Sequence, residues 1–234
     1  MLEPLKDRIH YPRKALLLRL ARALGGERLL LRLARLCYHL QVEGGDRIPR
    51  QGGCLVAFNH VSNIADGLIY LVVRRRRPDV HLYSWDLTGD VIAGLLGAFG
   101  YPQPEQGLLL AHKRHTLSVS ALLQARQILA TGGCVMIAPE GEITWDGRLQ
   151  HPLAPGAAWL ALRSAAPIIP VVSRGGYDVQ PLWQIDKIRL TGRISIRAGQ
   201  PLVLCEAPLK QVSSAQLEQA SQQLWQAMTT LLSG

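Results

Sequence analysis

The sequence predicts an α/β fold: a mixed, largely buried sheet flanked by helices, with a basic amphipathic two-helix segment at the N-terminus. Three observations carry this. Short apolar runs such as CLVAF, CVMIA and PIIPVV alternate with helix-length segments, as expected of strands buried on both faces. The chain has 234 residues, enough for one sizeable domain and too short for two full ones. Hydrophobic residues make up 48% and charged residues 18%, which excludes disordered and fibrous classes.

The first forty residues differ in kind from the rest. They hold nine basic residues against three acidic ones, most of the chain's formal charge of +9. Gly25-Gly26 divides them into two helical candidates. In the first, Leu16, Leu17, Leu20 and Leu24 share one arc, with Arg19 and Arg22 outside it. In the second, Arg28, Arg32, Arg35 and His39 recur at helical spacing, and Leu29, Leu33, Leu36 and Leu40 follow one position on. Two readings stand side by side: a pair of helices lying in a membrane interface, or a surface pair packed on its own domain.

From Gln41 onward each element follows from its pattern. QVEG and then CLVAF read as strands separated by the turn-like GGDRIPRQGG. A helix is expected over 66–75, stopping before Pro78, then the strand VHLYSW, the short helix VIAGLLGAF and the strand GLLLA. A helix over 118–130 ends at Gly132-Gly133, and CVMIA runs as a strand into Pro139-Glu140-Gly141. A helix over 156–164, the strand PIIPVV and the strands IRLTG and RISIRAG follow. Ser213 and Gln216 have capping-box spacing for a last helix with Leu217, Ala220, Leu224 and Leu231 on one face.

Cys37, Cys54, Cys134 and Cys205 are far apart and form no C-x-x-C pair, so a reduced, cytoplasmic protein without structural zinc is expected. The start lacks a signal-peptide pattern. The run from 55 to 73 is the nearest approach to a membrane span, and Asn59, His60, Ser62, Asn63 and Asp66 interrupt it. The basic surplus favours anionic partners, but aromatic residues are 6% and do not interleave with basic ones, so nucleic acid is not among them. The four arginines Arg74 to Arg77 read either as a solvated helix end or as an attractor of anionic headgroups, coenzyme A phosphates or an acidic carrier surface.

The chemistry-bearing residues stand at strand ends, the usual site position in α/β sheets. Asn59-His60 follows CLVAF, with Ser62 and Asp66 beyond. An imidazole oriented by a carboxylate is the unit of general-base catalysis, although a plain turn or cap uses the same residues. Glu140 follows CVMIA and lies on the same sheet edge if the two strands are parallel. There it either orients a substrate hydroxyl or holds its loop by accepting backbone N–H bonds. No G-x-S-x-G nucleophile motif is present, so the base acts on a substrate hydroxyl or a water.

NHVSN after CLVAF, then APEGE, then APIIPVV, then RISIRAGQPL resemble the ordered blocks of the glycerolipid acyltransferases, in particular the 1-acylglycerol-3-phosphate acyltransferases. The likeness covers residues 41–204. It implies transfer of a fatty acyl group from an acyl-CoA or acyl carrier protein thioester to a lipid hydroxyl, with no bound cofactor or metal. His60 is then the base and Asp66 its partner. Asn59, Ser62, Lys113, Arg114, Glu140, Gly141 and Glu142 fall in or near substrate-binding blocks. Residues 1–40 become membrane-docking helices and 41–234 the catalytic domain, placing the protein in the cytoplasm, peripherally on the inner face of an anionic membrane, in phospholipid biosynthesis. A catalytically silent lipid-binding member, or a lipid thioesterase, is the alternative.

Two departures from the family pattern bear on function. Five residues, not four, separate His60 from Asp66, which on a rigid helix would turn the carboxylate by about 100°. Where relatives carry Thr-Arg-Ser after P-E-G, this chain has Glu142-Ile143-Thr144. The Arg is associated with the acceptor's phosphate, and its planar fork suits that task. Its absence points to an acceptor with a sugar, polyol or amine headgroup unless Lys113, Arg114 or Arg148 takes over the phosphate.

Overall fold

The computed structural model describes residues 26–85, 108–111, 119–181 and 188–234. The first N-terminal helical candidate, the VIAGLLGAF helix, Lys113 and Arg114 lie outside them. In chain order the elements are α1 (Gly26–Tyr38), β1 (Gln41–Glu43), a 3-10 turn (Gly45–Arg47), β2 (Cys54–Phe58), α2 (Asn63–Arg76), β3 (Val80–Trp85) and β4 (Leu108–Ala111). Then come α3 (Val119–Ala130), β5 (Cys134–Ile137), α4 (Gly156–Ser164), β6 (Ile168–Arg174), α5 (Gly176–Val179), β7 (Ser195–Ala198) and α6 (Ser214–Ser233).

Seven strands form one sheet in the order β1-β7-β6-β2-β5-β3-β4. Every pairing is parallel except β6 with β7, so the sheet is mixed, as the sequence predicts. β2 sits between β6 and β5, and all five of its residues are buried. Its alternation divides the core. Cys54, Val56 and Phe58 join the cluster beneath α1 and α2, with Leu31, Ala34, Ile69 and Val73. Leu55 and Ala57 join the cluster beneath α3, α4 and α6, with Ala125, Leu160, Leu224 and Met228. A strand covered on both faces must be apolar throughout, which is why CLVAF carries no polar residue.

The helix ends follow local chemistry. Ser62 caps α2, its Oγ accepting from the Ala65 N–H at 3.1 Å. Ser213 and Gln216 form the expected reciprocal capping box on α6. At the other end of α2 three of the four arginines are engaged by the protein itself, and Arg75 is exposed. Arg74 bonds the Tyr70 hydroxyl at 2.8 Å, and Arg76 bonds the carbonyls of Ile48 and Asp46. Arg77 is only 1% exposed. Its guanidinium forks onto Asp79 at 2.8 and 2.7 Å and also donates to Gly52 O, Gly132 O and Cys54 Sγ. The run is therefore largely an internal clamp rather than an open cationic face.

One expectation needs correcting. IRLTG is not a strand: residues 188–193 form an irregular strap held by Arg189 N–H to Val179 O, Gly192 N–H to Cys37 O and Ile194 N–H to Tyr38 O. α1 packs on the rest of the chain, with Leu31 and Ala34 buried in the core. Its expected leucine stripe faces outward: Leu29, Leu33 and Leu36 are exposed, and only Leu40 of that series is buried. No helix among the described residues is long and apolar enough to cross a membrane.

Candidate active site

The site is built by strand register. β2 and β5 run parallel with Cys54 level with Cys134 and Ala57 level with Ile137, a constant offset. Continued three residues past the last paired positions, that offset sets His60 beside Glu140. The contact is made: the His60 backbone N–H donates to Glu140 Oε1 at 2.6 Å. On the other flank, Asn59 leaves β2 against β6. Its amide donates to Ser173 O at 2.9 Å and accepts from the Ser173 N–H at 2.7 Å. Asn59 therefore continues the strand pairing with its side chain where the backbone turns away.

His60 Nδ1 lies 2.5 Å from Asp66 Oδ2. The imidazole is 25% exposed and the Asp66 carboxyl 4%, so the ring has one nitrogen on a buried carboxylate and Nε2 left for a substrate. The extra residue between them is absorbed because His60 lies outside the helix. Ser62 is extended, α2 begins at Asn63, and Asp66 is in its first turn, where side chains lean back toward the N-terminus. Gly176 closes the back of this segment. A Cβ there would stand 2.5 Å from Ala65 Cβ and 3.0 Å from Ser62 Oγ. Three of the N–H groups opening α2 are occupied, Ile64 by Gln180 Oε1, Ala65 by Ser62 Oγ and Asp66 by Ser62 O. They are not the oxyanion donors that a helix start offers in principle.

Glu140 organises the loop that faces the dyad. Its second oxygen accepts from the Gln150 N–H at 2.8 Å, and the Thr144 N–H donates to His60 O at 2.8 Å. Thr144, 1% exposed, is the loop's internal hub: its hydroxyl bonds Asp146 and accepts from Gln150 Nε2. Gly141 takes a left-handed φ of 79°, which lets the chain reverse directly after Glu140.

Residues 39–174, which contain the His60–Asp66 pair and the Glu140 loop, match the family model described as Acyltransferase. The chain belongs to the acyltransferase family. Uncharacterized proteins of Mycobacterium bovis and Mycobacterium tuberculosis are 27% identical to it over 167 residues, covering 67% of this chain and 42% of theirs. The chain thus spans less than half the length of these curated relatives. Among solved structures it resembles the 1-acyl-sn-glycerophosphate (LPA) acyltransferase PlsC from Thermotoga maritima. The TM-score is 0.63 at 17% identity, covering 97% of this chain and 83% of that one, a likeness of fold.

In this member of the acyltransferase family the electrostatics of the dyad are a balance. Burial is the largest influence on His60 and would lower its pKa, but the Asp66 charge and hydrogen bond, with the Glu140 charge, outweigh it and hold the imidazole above 6.5. Burial raises Asp66 above the usual carboxylate range, opposed by His60. Its Oδ1 is buried with no hydrogen-bond partner among the described residues. Burial likewise raises Glu140, against the two N–H bonds it accepts.

The residues expected at the site divide by what they touch. His60, Asp66, Glu140 and Gly141 come together. Asn59 and Ser62 are buried beside the dyad, and their side chains are bonded to backbone groups. Glu142 is exposed on the loop, next to Ile143. Ser173, Gln180, Gln150 and Gly176 support the site and were not expected from the sequence. Ser173, Gly176 and Gln180 meet Asn59, Ala65 and Ile64 from far away in the chain, and Gln150 meets the Glu140 carboxylate; no spacing signals them.

Proposed function

We propose that this acyltransferase moves a fatty acyl group from an acyl-CoA or acyl carrier protein thioester to a hydroxyl of a (lyso)glycerolipid or related lipid acceptor. The observation that carries the proposal is His60 Nδ1 at 2.5 Å from a buried Asp66 carboxylate, with the ring itself open to solvent on one side. The acceptor hydroxyl lies against Nε2. Its oxygen attacks the thioester carbonyl as His60 takes its proton, and Asp66 stabilises the imidazolium that forms. The tetrahedral intermediate collapses with cleavage of the C–S bond, and the departing thiolate receives the proton back from His60. No metal or organic cofactor enters these steps.

The acceptor proposed is one with an uncharged or amine headgroup. Glu142 stands exposed on the loop beside the dyad, and two unit charges about 6 Å apart at an effective dielectric near 20 repel by roughly 3 kcal/mol, which disfavours a phosphate there. The protein is proposed to work peripherally on an anionic membrane surface at the cytoplasmic face, with the outward leucines of α1 in contact with lipid.

The test is transfer from radiolabelled acyl-CoA, and separately from acyl carrier protein, to lysophosphatidate and to a panel of uncharged and amine lipid acceptors. Product from the panel alone supports the whole proposal. Product from lysophosphatidate alone overturns the acceptor assignment. Release of free fatty acid without an acceptor would make the protein a thioesterase, and silence with every pair would sink the catalytic reading.

A further inference from the structure

Nine large hydrophobic residues are exposed among the described residues, and six of them fall on three neighbouring segments: Leu29, Leu33 and Leu36 on α1, Ile188 and Leu190 on the strap, and Trp145 on the loop after Glu140. These segments are joined in sequence around the site. The strap's Gly192 bonds Cys37, the residue after Leu36, and its Arg189 bonds Val179 at the end of α5. Tyr177 in α5 donates its hydroxyl to Trp145 O at 2.7 Å, and its ring meets Gly147. Thr144, next to Trp145, bonds His60 O. A series of contacts thus leads from the exposed leucines through the strap, α5 and the Trp145 loop to His60, and each step carries an exposed apolar side chain or touches one that does.

Charge tells what a rim of these segments fits. Arg28, Arg32 and Arg35 on α1 and Arg189 and Arg193 on the strap are all exposed. At the Trp145 end Glu142, Asp146 and Asp178 offset Arg148 and Arg174, so the cationic surplus lies on the α1 and strap side. Separate apolar side chains set among arginines, with a tryptophan at one end, suit an anionic lipid interface better than a dry protein interface. Headgroups receive the guanidinium groups, the acyl boundary takes isolated leucines, and tryptophan is at home between them.

We infer that this rim, and not α1 alone, is the face that rests on an anionic bilayer, with Leu190, Ile188 and Trp145 as lipid contacts beside the leucines of α1. The inference rests on the membrane docking proposed above and adds contacts outside the N-terminal helices. Its functional content is geometric. With both ends of the rim on the interface, the opening at His60 meets the lipid surface, and an acceptor reaches Nε2 without leaving the bilayer.

The test is binding of the full-length protein to vesicles of phosphatidylglycerol and phosphatidylcholine, comparing Leu36→Ser, Leu190→Ser and Trp145→Ser. Leu190 is 76% exposed and Trp145 64%, so these changes leave the fold intact, and an unchanged melting temperature verifies it. Leu190→Ser and Trp145→Ser should each weaken partitioning about tenfold. Lipids brominated near the headgroup should quench emission that is present in the wild type and missing in Trp145→Phe. If only Leu36→Ser weakens binding and Trp145 is unquenched, docking through α1 stands and this inference fails. If no variant changes binding, or the wild type does not bind, both fail. A Leu190→Ser protein whose only change is a halved mass in light scattering would make the rim a contact between two copies of the chain and overturn the inference.

Discussion

Replacing Glu140 by Gln separates holding the loop from touching the substrate. The carboxylate accepts the His60 and Gln150 N–H groups at 2.6 and 2.8 Å, one on each oxygen. A Gln side chain has one acceptor oxygen, so one of those donors would face an NH2 group instead. A hydrogen bond to a charged partner is worth about 1.5–3 kcal/mol, and the neutral amide recovers some of the cost of burying a charge. A net loss of about 2 kcal/mol follows, read from urea unfolding followed by circular dichroism. The same variant removes a charge that raises the His60 pKa, so the acid limb of kcat/KM should move to lower pH. Unchanged stability with an unmoved acid limb would refute the loop-holding role. A raised KM for the acceptor with both unchanged would give Glu140 to the substrate.

Four more outcomes are expected. His60→Ala should lower kcat by roughly 10²–10⁴ with the far-UV circular dichroism of the folded protein retained, and Asp66→Asn should lower it comparably by misorienting the imidazole. Because His60 must be neutral to act and its folded pKa lies above 6.5, kcat/KM should fall as pH drops through a value above 6.5. The stabilisation that His60 draws from Asp66 has the opposite sense, full below 6.5 and lost as pH rises through the folded pKa, so stability and rate diverge across that window. Gly176→Ala should force Ala65 and Ser62 aside at a cost of about 1–3 kcal/mol and reduce kcat more than a surface change of equal destabilisation, measured by paired melting and transfer assays. Arg77→Met leaves the carbonyls of Gly52 and Gly132 without their donor, and a loss of about 3 kcal/mol in chemical denaturation is expected, since Asp79 is half exposed and rehydrates.

The strands were legible because burial on two faces leaves a mark that composition alone carries: CLVAF and CVMIA admit no polar residue. The cap at Ser213 was legible because the partner is three residues away, whereas Ser62, expected at a substrate, caps α2. What was not legible depends on distance. Nothing in the sequence tells that Asn59 spends its amide on Ser173, or that Gln180 reaches Ile64. IRLTG has strand composition, yet its backbone bonds go to the ends of α1 and α5 and not to a sheet edge. The α1 helix misled through its two apolar faces: the regular leucine stripe is exposed, and the narrower Leu31 and Ala34 face holds the core.

The shared level of His60 and Glu140 acts as a ruler laid across two strands. One residue added within β2 or β5 would slide one side of the site by about 3.3 Å and turn its side chains to the opposite face of the sheet. One residue added beyond His60 alters only the span to Asp66, and this chain already carries such a change without parting the pair. Length variation among descendants of this fold should therefore gather downstream of those two marks and be purged upstream of them. The dyad can be respaced by evolution; the strands that present it cannot.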